Sequence, residues 1–270
     1  MGLTKIFGIK DLIGMQLQAA CGCNQGKKRN NNEDNFYFDG SYMNSDNHGL
    51  VSTEKMTISL NDDRFFCVFD GMGGGDYGEV ASYTASKATK EFLEIESNIN
   101  PYDITPSLTK MCEAVNQAVY EAAEKLGSSR MGSTLVGLYF HADQVWVCNL
   151  GDSRCYFLRN GKMKQISEDH TDEKFMKENG ITGRKPYLTQ YLGIDPDEMT
   201  IVPSIKSYVL NRGDRFLICS DGVTDMVDDQ TICNDLVKYQ DPEECVEMLI
   251  QDALDGGGKD NITAIVLEVV

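Results

Sequence analysis

Four aspartates stand where an apolar, strand-like run meets a loop: Asp34, Asp70, Asp221 and Asp260. Glycine directly follows Asp70 and Asp221, and the run Gly256-Gly257-Gly258 lies just before Asp260. One such aspartate serves as a turn former or helix cap. Four at the ends of separate strands can converge on one sheet edge. Clustered carboxylates repel and hold protons at neutral pH unless a cation sits among them. Oxygen ligands without His or Cys select hard ions, Mg²⁺ or Mn²⁺, and a glycine beside the ligand lets a backbone carbonyl join the shell. Two such ions hold a shared water as hydroxide and orient it for in-line attack on a phosphoryl group. Arg29, five residues before Asp34, has the forked donor geometry that clamps a phosphate.

The elements that must position these residues follow from periodicity. Phe65 to Phe69 reads as a buried strand ending at Asp70; Gly71, Gly73, Gly74 and Gly75 follow. Those glycines suit close approach to a phosphate, a metal or another strand, and spacing alone does not choose. A helix carrying Ala81, Ala85, Ala88 and Phe92 comes next. A second helix has Thr105 as N-cap, Pro106 at its first position and Gly127 just past its end, with Leu108, Cys112, Val115, Val119, Ala122 and Leu126 as its apolar stripe. The two are expected as antiparallel neighbours on one sheet. Strands are expected at Leu17 to Cys23, Phe36 to Phe38, Thr134 to Phe140, Val145 to Leu150, Cys155 to Arg159, Lys162 to Ile166, Arg215 to Ser220 and Ile262 to Val270, with Asn160-Gly161 as a hairpin turn. Residues 40–63 read as a loop or weak hairpin. Residues 167–187 lose periodicity and read as a mobile surface segment with a short helix near Lys174 to Glu178. Asp241-Pro242 caps a helix running through Leu254. No repeat or linker divides the chain, so residues 1–270 are expected to form one domain.

The chain carries 42 acidic against 25 basic residues, a net charge of −17. That balance argues against nucleic acid or an anionic membrane as the main partner. Nine cysteines, several inside apolar runs, fit buried reduced thiols better than a disulfide frame. Cys21-Gly22-Cys23 lacks zinc-site spacing. The first residues show neither the apolar core nor the cleavage signature expected of a signal peptide, no stretch reads as long and apolar enough to span a membrane, and Ile6 stands where a myristoylation signal wants Ser or Thr. A cytoplasmic location is the default expectation.

Eight short motifs occur in order: Arg29-x-x-Asn32-Glu33-Asp34, Asp70-Gly71-Met72-Gly73-Gly74, Gly78-Glu79-x-Ala81-Ser82, Met131-Gly132-Ser133-Thr134, Gly151-Asp152-Ser153-Arg154, Asp169-His170, Ser220-Asp221-Gly222 and Asp260-Asn261-x-Thr263. Together they resemble the bacterial form of the metal-dependent, type 2C serine/threonine protein phosphatases, over nearly the whole chain. The resemblance implies an α+β fold, a four-layer α-β-β-α sandwich of two antiparallel sheets flanked by helices. It also implies two Mn²⁺ or Mg²⁺ ions at one end of the sandwich, and a bridging water as nucleophile with no phosphoenzyme. By motif position, Asp70 bridges the ions, the Gly71 carbonyl ligates one, and Asp221 and Asp260 hold the other. Glu33 and Asp34 bind directly or through water, Arg29 binds the phosphate, and Asp152 with Asp221 holds a third ion. Residues 171–187 correspond to the family's flap. The histidine that eukaryotic members carry two places after the bridging aspartate is Met72 here, so the leaving alkoxide takes its proton from another group or from metal-bound water. Bacterial members often have histidine at the Gly75 position. His48, His141 and His170 are not expected to be catalytic; His48 and His141 fall in predicted turns and His170 is assigned a structural role. The expected activity is hydrolysis of phosphoserine and phosphothreonine on proteins by a monomer, with a Ser/Thr kinase and its targets as partners. A pseudophosphatase would have lost one of the metal aspartates, and all are present. A regulatory phosphatase aimed at a single partner would be expected to carry a sensor domain.

Overall fold

The computed structural model describes residues 14–72, 77–95 and 99–270. Positions 73 to 75, three of the glycines after Asp70, lie outside them. Two six-stranded antiparallel sheets stack face to face. The first runs in the order β3 (Glu54–Ser59), β1 (Gln16–Asn24), β12 (Ile262–Val269), β11 (Arg215–Cys219), β8 (Arg154–Arg159), β9 (Lys162–Gln165). The second is β10 (Ser204–Val209), β7 (Gln144–Leu150), β6 (Leu135–His141), β4 (Arg64–Met72), β2 (Asp34–Phe38), with the two-residue β5 (Gly132–Ser133) pairing to β4. α1 (Gly78–Leu93) and α2 (Ile104–Leu126) cover the outer face of the second sheet. α4 (Asp221–Thr224), α5 (Asp229–Lys238) and α6 (Pro242–Asp255) cover the outer face of the first. α3 (Glu173–Glu178) stands apart in the segment between β9 and β10. The four-layer α-β-β-α sandwich expected from the sequence is thus the fold.

Burial on both faces explains why the central strands read as unbroken apolar runs. In β4, Phe66 and Val68 point into the space between the sheets, while Phe65, Cys67 and Phe69 pack on α1 and α2. A period-2 pattern disappears when neither face meets water. The two β-hairpin turns in this region carry the left-handed residues their type demands: Ala142 (φ 51°) between β6 and β7, and Asn160 (φ 53°) with Gly161 (φ 70°) between β8 and β9. All nine cysteines are unpaired, and only Cys233 is not buried.

Several expectations are corrected. Residues 40–63 include a strand, β3, at the edge of the first sheet, where none of its six residues is fully buried. β10 is likewise an unread edge strand. The second helix begins at Ile104 with Asp103 at the N-cap, not at Thr105. Pro106 therefore sits in the third helical position, tolerated because the first four N–H groups of a helix have no intrahelical acceptor. Leu126, assigned to the apolar stripe, is 42% exposed in the last turn. Ile104 and Met111 are buried instead. The acid-rich stretch after Asp221 forms α4 and α5, which the sequence reading passed over. His141 ends β6 rather than lying in a turn, and its Nδ1 is 2.6 Å from Asp63 Oδ1.

Candidate metal and phosphate site

The sandwich brings the singled-out carboxylates to one end. Asp34 opens β2 and Asp70 stands near the end of β4, and the two are direct antiparallel partners in the register. Asp221 follows β11 and Asp260 precedes β12, strands that are neighbours in the opposite sheet. Asp152 lies in the crossing from β7 in one sheet to β8 in the other. Arg29 and Glu33 lie in the crossing from β1 to β2. All these sites are therefore chain segments that change sheet or leave it at the same end.

Each motif has a part in holding that end together. The Asp70 backbone is clamped on both sides: its N–H donates to Thr134 Oγ1 (3.0 Å), and its carbonyl accepts from Thr134 N (2.8 Å) and Ser133 Oγ (3.1 Å). Thr134 Oγ1 also shares a 2.7 Å hydrogen bond with Ser153 Oγ, tying the Gly-Asp-Ser-Arg segment to it. Arg154 from that segment pairs with Asp169, Nη2 to Oδ2 at 2.7 Å. His170 Nδ1 accepts from Gly151 N (3.3 Å), and the Gly151 carbonyl accepts from His170 N (3.0 Å), the structural role read for this histidine. Asn261 ties the start of β12 to the β1–β2 crossing by three hydrogen bonds: its amide donates to the Gln25 and Asn31 carbonyls at 2.8 and 2.9 Å, and its side-chain oxygen accepts from Glu33 N at 2.8 Å. The glycines serve close approach. A Cβ on Gly71 would lie 2.1 Å from the Gly78 carbonyl oxygen and 2.5 Å from that of Glu33.

The electrostatics set the chemistry. Asp34 is 1% exposed and one of its oxygens accepts from both Ser220 Oγ and Thr263 Oγ1, each at 2.7 Å. Burial nonetheless raises its pKa, with Asp221 and Asp260 adding to the rise against those two hydrogen bonds. Burial also holds Asp70 well above the usual carboxylate range, assisted by the negative charge of Asp34, Asp221, Asp152 and Asp260. Asp221 is raised by burial and then by Asp152, Asp260 and Asp225. Asp152 and Glu33 are raised as well, burial leading in both. Two cations face this group. Arg29 Nη2 is 2.6 Å from Asp260 Oδ2 and its Nη1 is 3.8 Å from Glu33 Oε2. Lys185 Nζ is 2.6 Å from Asp225 Oδ2 and 3.6 Å from Asp221 Oδ2. Two positive charges do not balance this many carboxylates, and added divalent cations would relieve the repulsion that raises their pKa values.

The donor chemistry fits hard cations, being all oxygen. Among the described residues, however, no three Asp, Glu, His or Cys side chains gather closely enough to form a coordination shell as they stand. Asp260 is turned to Arg29 and Asp221 toward Lys185. The structure therefore brings Arg29, Glu33, Asp34, Asp70, Gly71, Asp152, Asp221 and Asp260 to one end. It adds two residues the sequence reading missed, Asp225 and Lys185. Asp225 was detectable in principle, because it stands four residues after Asp221 and a helix there puts both on one face. Lys185 had no signal beyond lying in a charged stretch.

The profile of the family described as Protein phosphatase 2C matches residues 44–255. That stretch includes Asp70, Asp152 and Asp221 and excludes Arg29, Glu33, Asp34 and Asp260. The chain is 32% identical over 236 residues to the serine/threonine protein phosphatase PstP of Mycobacterium tuberculosis, covering 85% of this chain but 45% of that protein. It thus spans under half the length of that relative. It is 31% identical to the serine/threonine phosphatase stp of Listeria welshimeri, over 90% of this chain and 92% of the relative. The crystal structure of the PstP catalytic domain, in complex with two manganese ions, superposes with a TM-score of 0.75 at 29% identity, covering 95% of this chain and all of that domain. Profile, relative and superposition each extend over most of the sandwich, and on that ground the chain belongs to the protein phosphatase 2C family.

Proposed function

We propose that the chain is a metal-dependent protein serine/threonine phosphatase that hydrolyses phosphoserine and phosphothreonine at the end of the sandwich where Asp34 and Asp70 pair. The observation that carries this reading is the meeting there of carboxylates from both sheets beside an arginine. Two Mn²⁺ or Mg²⁺ ions would be held by Asp70, shared between them, with the Gly71 carbonyl serving one and Asp221 and Asp260 the other. Glu33 and Asp34 complete the set directly or through water, and Asp152 belongs to a third position. When bound, such ions activate a water for in-line attack and neutralise the phosphoryl oxygens, so no phosphoenzyme is needed. The binding of manganese by the PstP domain supports this assignment.

The chain's own residues supply the rest. Arg29 is 43% exposed and tethered through Nη2 to Asp260, leaving other N–H groups to hold phosphate oxygens. Ser220 and Thr263 fix the Asp34 carboxylate so that its second oxygen keeps one direction. Met72 carries no transferable proton, so the leaving alkoxide would take its proton from another group or from metal-bound water. Residues 1–270 act as one catalytic domain with residues 171–187 as its flap. It works as a cytoplasmic monomer on phosphorylated proteins, a Ser/Thr kinase and its targets among them. Among the described residues no helix is long and apolar enough to cross a membrane.

The test is hydrolysis of a phosphothreonine peptide with and without Mn²⁺ or Mg²⁺. Activity is expected only with added metal, and Asp70→Asn or Asp221→Asn is expected to lower it by at least about a thousandfold. Full turnover in excess chelator would overturn the reading.

A further inference from the structure

At the end of the first sheet away from the candidate metal site, a cavity of about 320 Å³ opens between the β8–β9 turn, the turn before β11 and the last turn of α5. Its lining holds three arginines, Arg159, Arg212 and Arg215, against two carboxylates, Asp214 and Glu268. That is an excess of one positive charge in a chain whose net charge is −17. Arg215 opens β11 and Asp221 follows that strand. Six residues of extended chain put the two about 20 Å apart.

The three arginines are not equivalent. Arg159 is committed to the fold: Nε and Nη2 donate to the two Asp214 oxygens at 2.6 and 2.5 Å, and Nη2 also donates to the Val209 carbonyl at 2.7 Å. Arg212 is exposed on its turn, with Nη2 donating to the Gly14 carbonyl at 3.3 Å. Arg215 is 3% exposed at its side chain, and Nη1 donates to the Leu236 carbonyl at 2.9 Å. Its Nε and Nη2 have no hydrogen-bond partner among the described residues. These two atoms share one edge of the guanidinium, the edge that takes a carboxylate by two parallel hydrogen bonds. Glu268, directly opposite in the β11–β12 register, brings Oε2 to 3.8 Å from Nε. That is near enough for charge attraction and too far for a hydrogen bond. Buried donors are normally paired, and a guanidinium cannot escape the cost by losing its proton. The wall of the cavity thus carries a buried fork of donors that the protein itself does not fill.

We propose that this cavity binds a small monocarboxylate, its two oxygens on the Nε–Nη2 edge of Arg215, with Arg212 at the rim and Leu158, Leu236 and Val237 around its hydrocarbon part. Charge selects the class. One negative charge cancels the excess in the lining, whereas a phosphate dianion would add a second beside Asp214 and Glu268. Glu268 is the competitor: its carboxylate shares the neighbourhood of Nε and, being 19% exposed, has a way out to water. Removing its charge therefore tightens the ligand. A purely structural ion pair would behave in the opposite way, because Glu268 would then be the group that satisfies Arg215. The site stands on the cavity and does not depend on the phosphatase reading.

The probe is sodium butyrate, titrated into the whole ¹⁵N-labelled chain in Mg²⁺ buffer, with sodium chloride at matched ionic strength and sodium phosphate as parallel arms. The readouts are the side-chain Nε–H resonances of Arg215 and Arg29. Butyrate is expected to move Arg215 with a dissociation constant of about 1 mM and to leave Arg29 in place, while neither chloride nor phosphate moves Arg215. Glu268→Gln should tighten butyrate about threefold and Arg212→Gln should weaken it about threefold, as expected for single solvent-screened charges. Arg215→Lys keeps the charge but loses the fork, and should abolish the rise in melting temperature that butyrate gives the wild type. Should that variant not fold, the Glu268 and Arg212 variants decide. The inference is overturned if butyrate leaves the Arg215 resonance unmoved, or if Glu268→Gln weakens the response. It is equally overturned if chloride or phosphate moves Arg215 as far as butyrate does, which would mark an adventitious additive only.

Discussion

A methyl group at Gly222 would lie 1.9 Å from the Asn261 carbonyl oxygen, whereas one at Gly127 would meet nothing within 4 Å. The same substitution therefore probes two different constraints. At Gly127, the left-handed C-cap of α2 (φ 67°), alanine suffers only backbone strain, about 1 kcal/mol. At Gly222 two backbones must separate, and they are the segments that carry Asp221 and Asp260. Gly222→Ala is expected to cost about 3 kcal/mol or more by urea unfolding, and to lower metal-dependent turnover at least about tenfold because the carboxylates move apart. Gly127→Ala is expected to lose stability without losing turnover. Equal turnover in the two variants would show that the contact does not set the site. Asn261 is a second case of a single residue spanning the end: Asn261→Ala leaves the Gln25 and Asn31 carbonyls and the Glu33 N–H without their partner. The expected loss is about 2–3 kcal/mol in thermal or urea denaturation.

Between α5 and α6 the packing encloses an acid. Asp235 is 8% exposed, its Oδ2 has no hydrogen-bond partner, and burial followed by the facing Asp252 pushes its pKa up to about 6. A carboxyl whose folded pKa lies above its unfolded value is favourable while protonated, below about pH 4, and its contribution is lost as pH rises through 6. Asp235→Asn should therefore stabilise the protein by about 1 kcal/mol at pH 7.5, and the gain should vanish at pH 4. Urea midpoints at the two pH values check this; a gain that is equal at both would mean that charge is not the cause. At this scale it is also clear which elements the sequence could announce. Strands buried on both faces, such as β4 and β11, are dense in β-branched and aromatic residues and were read directly. The edge strands β3 and β10 were not, because Glu-Lys-Met-Thr-Ile-Ser and Ser-Ile-Lys-Ser-Tyr-Val are half-exposed and polar enough to pass as loop. For the site, residues beside a glycine or a strand end were legible, as Asp34, Asp70, Asp221 and Asp260 were. Asp225 depends on a four-residue helix and Lys185 on the folding back of a segment, and neither leaves a local pattern.

Over the whole molecule, 42 acidic against 25 basic residues mean that the folded chain carries a surplus of negative charge, part of it gathered at one end of the sandwich. A divalent cation bound there stabilises the native state in proportion to its occupancy. At about a hundred times its dissociation constant one ion contributes about 2.7 kcal/mol, which for a chain of this size raises the melting temperature by about 5–10 °C. Calorimetric scans with Mn²⁺ and with excess chelator measure the difference. The shift should be absent in Asp70→Asn if that residue bridges the ions. An unchanged melting temperature in the wild type would argue that the carboxylates tolerate their repulsion unaided.

The pairing of β1 with β12 has a consequence for the making of the protein. β1 lies in the first sheet between β3 and β12, matched from Leu17↔Val269 to Asn24↔Ile262. A chain leaving the ribosome completes β3-β1 and β11-β8-β9 early, but the two halves have nothing to join them until the residues of β12 emerge. Until then the apolar faces of both halves stay open, a state prone to wrong pairing. The strand that closes the sheet also has Asp260 at its head, so closure and the meeting of the carboxylates are one event. A nascent chain halted before Ile262 is expected to be a client for chaperones, with no hydrolytic activity to show for the residues already made.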